Sequence, residues 1–301
     1  MKEYDLFLMG SVALECSTSP DHQPDFPLGG PAIYSAFALS SMGRPFGMLT
    51  RTSKTLKEKL QVLPLRWEDI FWLEDTNTCM LENHYLTEDR ERIQVCLTNR
   101  CSPLELGSVP SGIGVKTYLF SGIVLGDFET AMLRYLSKSG KIAVDTKGFV
   151  RVPDRRTGEL NYLDWEEKNQ YFPYIDYLKV GITEAEVLTG SSNPALALER
   201  MAKWGAREIL LTSSHGFYLR QEGQITEVPL DDLGSVGRIG RGETAFGAYL
   251  AARCEGRSPQ ESLAYAVAAA ELKTQKAGPL RCERGQLDEL ARQHDMAQSQ
   301  E

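Results

Sequence analysis

The residues best placed to do chemistry lie in the stretch "GRIGRGETAFGAYLAARCEG", residues 237–256. Gly240 and Gly242 flank Arg241, Glu243 follows at once, and an Ala-rich apolar run comes next. Two glycines at a loop-to-helix junction let backbone N–H groups converge. The first helical turn adds the positive end of its dipole, so the place suits an anion such as a phosphate. A glutamate there is also an ordinary helix starter, and one Gly-x-Gly is a weak signal by itself. Asp145 in "IAVDTKG" closes an apolar run, where ligands approach the carboxyl edge of an α/β sheet, although a turn aspartate reads the same way.

The elements that must position these residues alternate along the chain. "YDLFLMG", "PFGMLTRTS", "TYLFSGIV", "KIAVDTKG", "YLKVGIT" and "REILLTSSHG" are apolar runs of strand length closed by turn or polar residues. Between them "GGPAIYSAFALSSMG", "DFETAMLRYLSKSG", "TEAEVLTG", "NPALALERMAKWG" and "ESLAYAVAAAELKTQKAG" carry helical patterns. Strand and helix in alternation predict a mostly parallel sheet covered on both faces. Residues 76–100 break the rhythm: two β-rich runs around "TEDRER" predict a hairpin. With the polar stretch at 16–28 it could form a small lid, or be a plain edge hairpin.

Composition narrows the function classes. A net charge of -8 without a Lys/Arg run argues against nucleic acid, whose binding is dominated by phosphate neutralisation. The six cysteines show no C-x-x-C pair and no histidine at zinc spacing, so reduced, mostly buried thiols are expected. The opening "MKEYDLFLMGSVALEC" is too short in its apolar part for a signal peptide, and no segment has the apolar length of a membrane span. A cytoplasmic protein is expected, with no membrane partner.

Five segments in order resemble the PfkB, or ribokinase-like, family of carbohydrate kinases, and the resemblance runs over nearly the whole chain. They are "MGSVALE" with Gly10 and Glu15, "LGGPAIYSAFALSSMG" with Gly29, Gly30, Ala36 and Gly43, "GITEAEVLTG" with Glu184, Glu186 and Gly190, "ILLTSSHGFYL" with Thr212 and Gly216, and "GRGE" at Gly240–Glu243. The resemblance implies one ribokinase-like domain over residues 1–301, an α/β three-layer sandwich with a central mostly parallel sheet and a small β lid from about 14–27 and 76–100. It implies transfer of the γ-phosphoryl of ATP, with Mg²⁺ and room for a monovalent cation, to a hydroxyl of a small sugar, polyol or inositol.

Roles follow residue by residue from the same resemblance. Glu243 matches the family's base, with the backbone of Gly240, Arg241 and Gly242 holding phosphoryl oxygens. Glu15, Gly29, Gly30 and Tyr34 match the acceptor side, whereas Glu184, Thr212 and Gly216 match the ATP side, Glu184 orienting the water shell of Mg²⁺. Such a carboxylate takes the acceptor's proton while the cradle stabilises charge on the transferring group. The chain also departs from the pattern. Glu243 and Glu15 stand where aspartates are usual, Gly181 replaces the middle motif's asparagine, and Tyr34 replaces a frequent acceptor-contacting asparagine. One extra methylene moves a carboxylate by roughly 1 Å, which matters to positioning. A nucleoside kinase, with Tyr34 as a stacking platform, and a catalytically silent ligand-binding homologue are the alternatives. The Ala-rich segment 265–278 would edge the adenine pocket or simply be core. Arg241 reaches a donor phosphate or points to solvent, Lys179 reads as a strand-end charge, and His215, His22 and His84 read as loop or lid histidines. Two copies could pair their lids into a homodimer, covering open strand edges.

Overall fold

The computed structural model describes residues 2–17, 26, 28–85, 92–96, 100–230 and 239–298. Nine strands form one sheet in the order Gln224–Pro229, Gly216–Gln221, Glu208–Thr212, Tyr177–Gly181, Lys141–Asp145, Ile113–Phe120, Lys2–Met9, Phe46–Ser53, Ile70–Asp75. From Glu208–Thr212 to Ile70–Asp75 all pairings are parallel, and only the last two strands after Thr212 fold back antiparallel. The predicted α/β architecture is the observed one.

Both faces of the sheet are buried, which explains why its strands read as continuous apolar runs. Side chains alternate across a strand, so Leu6 and Leu8 enter one core while Phe7 and Met9 enter the other. The first core packs against helices Pro31–Ser41, Arg241–Cys254 and Pro259–Thr274, with Leu287 and Ala291 of Arg284–Gln298 joining it. The second packs against Ala131–Leu136, Ile182–Thr189 and Pro194–Lys203. Trp165, in the "LDWEEKNQYFPY" stretch, is buried in this second core, its ring 4.5 Å from that of Phe149.

The chain lays down Lys2–Met9, Phe46–Ser53 and Ile70–Asp75 outward in one direction, then returns to Ile113–Phe120 on the other flank of the first strand. The strand order therefore reverses between Lys2–Met9 and Ile113–Phe120, the crevice where open α/β sheets take ligands at their carboxyl ends. At that point the strands come close enough that a Cβ on Gly10 would overlap the Ser121 carbonyl.

A second, four-stranded sheet runs in the order Leu28–Gly29, Ala13–Ser17, Cys79–Tyr85, Arg92–Cys96. Its last two strands are the antiparallel hairpin expected in residues 76–100, with Asn83 directly opposite Gln94. Residues 18–25, 27, 86–91 and 97–99 of the expected lid lie outside the described residues. Among the described residues no helix is long and apolar enough to cross a membrane.

Candidate active site

The helix Arg241–Cys254 starts on Gly240, whose left-handed backbone (φ 79°) turns the chain into the first turn. A side chain there would overlap the ring of Tyr34, so glycine is required twice over, by backbone angle and by space. Gly242 is tight for a second reason: a Cβ would come 3.2 Å from both Lys179 Cε and Thr212 Oγ1. The two glycines thus let the loop press onto the carboxyl ends of the neighbouring strands. Arg241 points its guanidinium back to the Ser213 carbonyl at 2.5 Å. Gly216 closes the turn after Thr212, where a Cβ would come 2.7 Å from the Val228 carbonyl oxygen.

Glu243 is 4% exposed and bonded through Oε1 to Lys147 Nζ. Burial alone would raise its carboxyl, but the ammonium groups of Lys147 and Lys179 outweigh it and hold the group well below the usual carboxylate range. Beneath it lies a buried cluster. Lys179, 2% exposed, reaches Asp145 Oδ1 at 3.2 Å and Glu184 Oε2 at 3.8 Å. Burial would strip its proton, yet Asp145, Glu184 and Glu243 keep it firmly protonated. Glu184 Oε2 also accepts from Thr146 Oγ1 at 2.5 Å and from the Gly181 N–H at 2.7 Å. Against the burial that would raise it, Lys179, Lys147 and these donors keep the Glu184 carboxyl low.

The acceptor side is a second polar chain. Glu15, 6% exposed, takes Asn83 Nδ2 on Oε1 at 2.8 Å and the Tyr34 hydroxyl on Oε2 at 3.3 Å. Its carboxylate lies over Gly29, where any Cβ would overlap it. Gln94 Nε2 donates to Asn83 Oδ1 at 3.0 Å, and Arg151 Nη1 donates to Gln94 Oε1 at 3.0 Å. Arg151 is itself anchored by Nε on the Ile123 carbonyl at 2.9 Å. Each amide is oriented by the next, so the chain fixes which way Glu15 faces. Gly30 (φ 95°) opens the helix Pro31–Ser41 that carries Tyr34.

These two sides meet. Glu15, Gly30, Tyr34, Leu81, Gln94, Lys147, Arg151, Gly240 and Glu243 line one crevice with a free volume of about 20 Å³, room for about one water molecule. Tyr34 is packed against Gly240, with Lys273 Nζ 5.6 Å from its ring centre, so its ring contacts protein in this arrangement. Residues 115–284, more than half the chain, match the model of the pfkB family carbohydrate kinases.

The chain belongs to the pfkB carbohydrate kinase family.

No curated protein matches it. Among solved structures, a pyrophosphate-dependent kinase in the ribokinase family, determined as a sulfate complex, is 25% identical with a TM-score of 0.83, covering 94% of this chain and 99% of that one. A pyrophosphate-dependent myo-inositol-1 kinase, studied for its conversion into a myo-inositol-3 kinase, is 23% identical with a TM-score of 0.83, covering 96% and 99%. The ribokinase of Arabidopsis thaliana, complexed with ribose and ATP, is 17% identical with a TM-score of 0.69, covering 97% and 99%. The last two likenesses carry the fold.

The family implies a magnesium ion, and the residues present fit one held through water. Among the described residues Asp145 Oδ2 is buried without a hydrogen-bond partner, a spare acceptor beside Glu184 at the carboxyl edge. Magnesium keeps several of its waters, so Asp145 and Glu184 would hold it through them, and the ion would supply charge neutralisation on the donor phosphates. Among the described residues no three His, Cys, Asp or Glu side chains converge as direct metal ligands.

Sequence reading missed the cations and amides of the site. Lys179 is its buried centre rather than a strand-end charge, and Lys147, Arg151, Asn83 and Gln94 carried no motif. His84 pairs with Glu82 Oε2 at 2.7 Å, and His215 is exposed. His22 lies outside the described residues.

Proposed function

We propose that this kinase transfers the terminal phosphoryl group of a phosphate-chain donor to a hydroxyl of a small cyclic polyol, an inositol or a sugar. The observation that carries the reading is that Glu15 and Glu243, far apart in sequence, line one crevice together with Gly240 of the glycine cradle. In this reading Glu15, held in place by Asn83 and Tyr34, accepts hydrogen bonds from the acceptor's hydroxyls. Glu243 takes the proton of the attacking hydroxyl as its oxygen bonds to the terminal phosphorus and the bridging P–O bond breaks, the electron pair leaving with the departing phosphate. The N–H groups of the cradle hold charge on the transferring oxygens. Gly29 and Gly30 admit the acceptor closely, Arg241 and Thr212 flank the donor, and Gly216 shapes the turn beyond them. The small four-stranded sheet, part of the same domain, acts as a lid that excludes water during transfer.

Pyrophosphate is the better supported donor, because a kinase using it is the more similar in sequence and in fold. ATP is the second reading, favoured by ribokinase-fold structures solved with it at lower similarity. The nucleoside alternative rests on Tyr34 as a stacking platform, a ring that packs against Gly240 in this arrangement.

The test is phosphate or ADP release with magnesium and either donor across inositols, pentoses, hexoses and nucleosides, beside Glu243→Gln. Acceptor-dependent release that falls by about 10²–10⁴-fold in the variant supports the base. Donor binding with no release from either donor would favour the silent ligand-binding alternative, whereas release without acceptor dependence would mean hydrolysis and overturn the transfer reading.

A further inference from the structure

Lys147 is a cation at the transfer point that the reading above leaves without a task. It opens the short turn after the strand Lys141–Asp145 and lines the same crevice as Gly240 and Glu243. Its backbone N–H is held by Asp145 Oδ1 at 3.1 Å, so the base of the side chain is fixed. The two lysines of the site differ in their confinement. Lys179 is enclosed, with Asp145 and Glu184 both in ion-pair range. The Lys147 side chain is 20% exposed, and among the described residues its ammonium is paired with Glu243 alone, whose own side chain is 6% exposed. A rigid, buried carboxylate thus holds a long and partly solvated ammonium.

That pairing opposes the chemistry assigned to Glu243. A carboxylate that accepts a lysine's hydrogen bond is a weaker base, because the ammonium stabilises the very form that must take up a proton. An anionic phosphoryl group entering the cradle competes for the same ammonium, and four flexible carbons let the ammonium swing while the carboxylate stays on its helix. We propose that Lys147 is a catalytic residue of exchange type: it neutralises Glu243 in the empty site and passes its ammonium to the terminal phosphoryl oxygens when the donor binds. This rests on the phosphotransfer reading and deepens it. The exchange makes Glu243 a competent base only once a donor is seated, and adds positive charge where negative charge develops.

The experiment uses inorganic pyrophosphate, without acceptor, titrated calorimetrically into the wild-type chain, Glu243→Gln, Lys147→Met and the double variant. The exchange predicts that Glu243→Gln tightens pyrophosphate binding about tenfold, since the anion no longer competes for the ammonium, and that this gain disappears in the Lys147→Met background. An equal gain in both backgrounds would mean that removing a negative charge explains everything, and the exchange would be wrong. A crystal structure of the wild-type chain with pyrophosphate then separates exchange from a fixed pair: Nζ on a phosphate oxygen supports it, and Nζ still on Glu243 overturns it. Failure of both wild type and Glu243→Gln to bind pyrophosphate also overturns it, while acceptor-dependent turnover with ATP would leave the kinase reading standing.

Discussion

Replacing Lys179 by methionine is the sharpest perturbation the structure offers. The substitution nearly conserves volume, so its effect is electrostatic rather than steric. It leaves Asp145, Glu184 and Glu243, all buried, with Lys147 as the remaining lysine of the cluster. Removing one partner of a buried ion pair typically costs about 3–5 kcal/mol, because the abandoned charge stays out of water. Unfolding entropy of about 2.1 cal/mol/K per residue over 301 residues gives roughly 0.6 kcal/mol/K. The expected fall in Tm is therefore about 5–8 °C at pH 7, read by calorimetry or urea titration. The pH dependence has a definite sign. In the wild type, the depressed Glu184 carboxyl contributes stability that is complete above its unfolded pKa and is lost as pH falls through the lower folded value. In the variant that contribution shrinks, with Lys147, Thr146 and the Gly181 N–H left to oppose burial, so the buried carboxyls move up and the stability gap narrows as pH is lowered from 7 towards 5. A variant as stable as the wild type at pH 7, or a gap that widens on acidification, would refute the view that Lys179 is the charge centre of the site.

Other positions give independent checks. Gly240→Ala forces a left-handed alanine, about 1–2 kcal/mol, and drives a methyl into Tyr34; denaturant midpoint should fall and acceptor KM rise together. Asn83→Ala removes the donor to Glu15 and the acceptor for Gln94, so acceptor KM should rise about tenfold with donor KM little changed in steady-state kinetics. Burial pushes the Cys101 thiol up to about 11, leaving roughly a thousandth as thiolate at pH 8; mass spectrometry should find it alkylated by iodoacetamide only after unfolding.

The fold was legible because strand runs and helical patterns alternate, and both faces of the sheet are buried. The five motif segments also named Glu15, Tyr34, Gly240 and Glu243, which the structure brings to one crevice. What stayed hidden has a common physical cause. A lone lysine or arginine after an apolar run looks the same whether it meets water or three carboxylates, and only tertiary packing decides, as for Lys147, Lys179 and Arg151. Asn83 and Gln94 become partners through the hairpin register, which residue types alone did not specify. The helix Arg284–Gln298 went unread because few of its residues, Leu287 and Ala291 among them, are fully buried.

The near-closed crevice has a consequence for how the enzyme meets its acceptor. The crevice has about 20 Å³ free as it stands, so seating a six-membered ring would require the side chains that line it to move apart. Where that opened arrangement is a minor population, apparent acceptor affinity is the intrinsic affinity reduced by its fraction. A ligand that moved Tyr34 off Gly240 would remove that penalty for the other substrate, giving the two substrates synergistic binding through a single aromatic side chain.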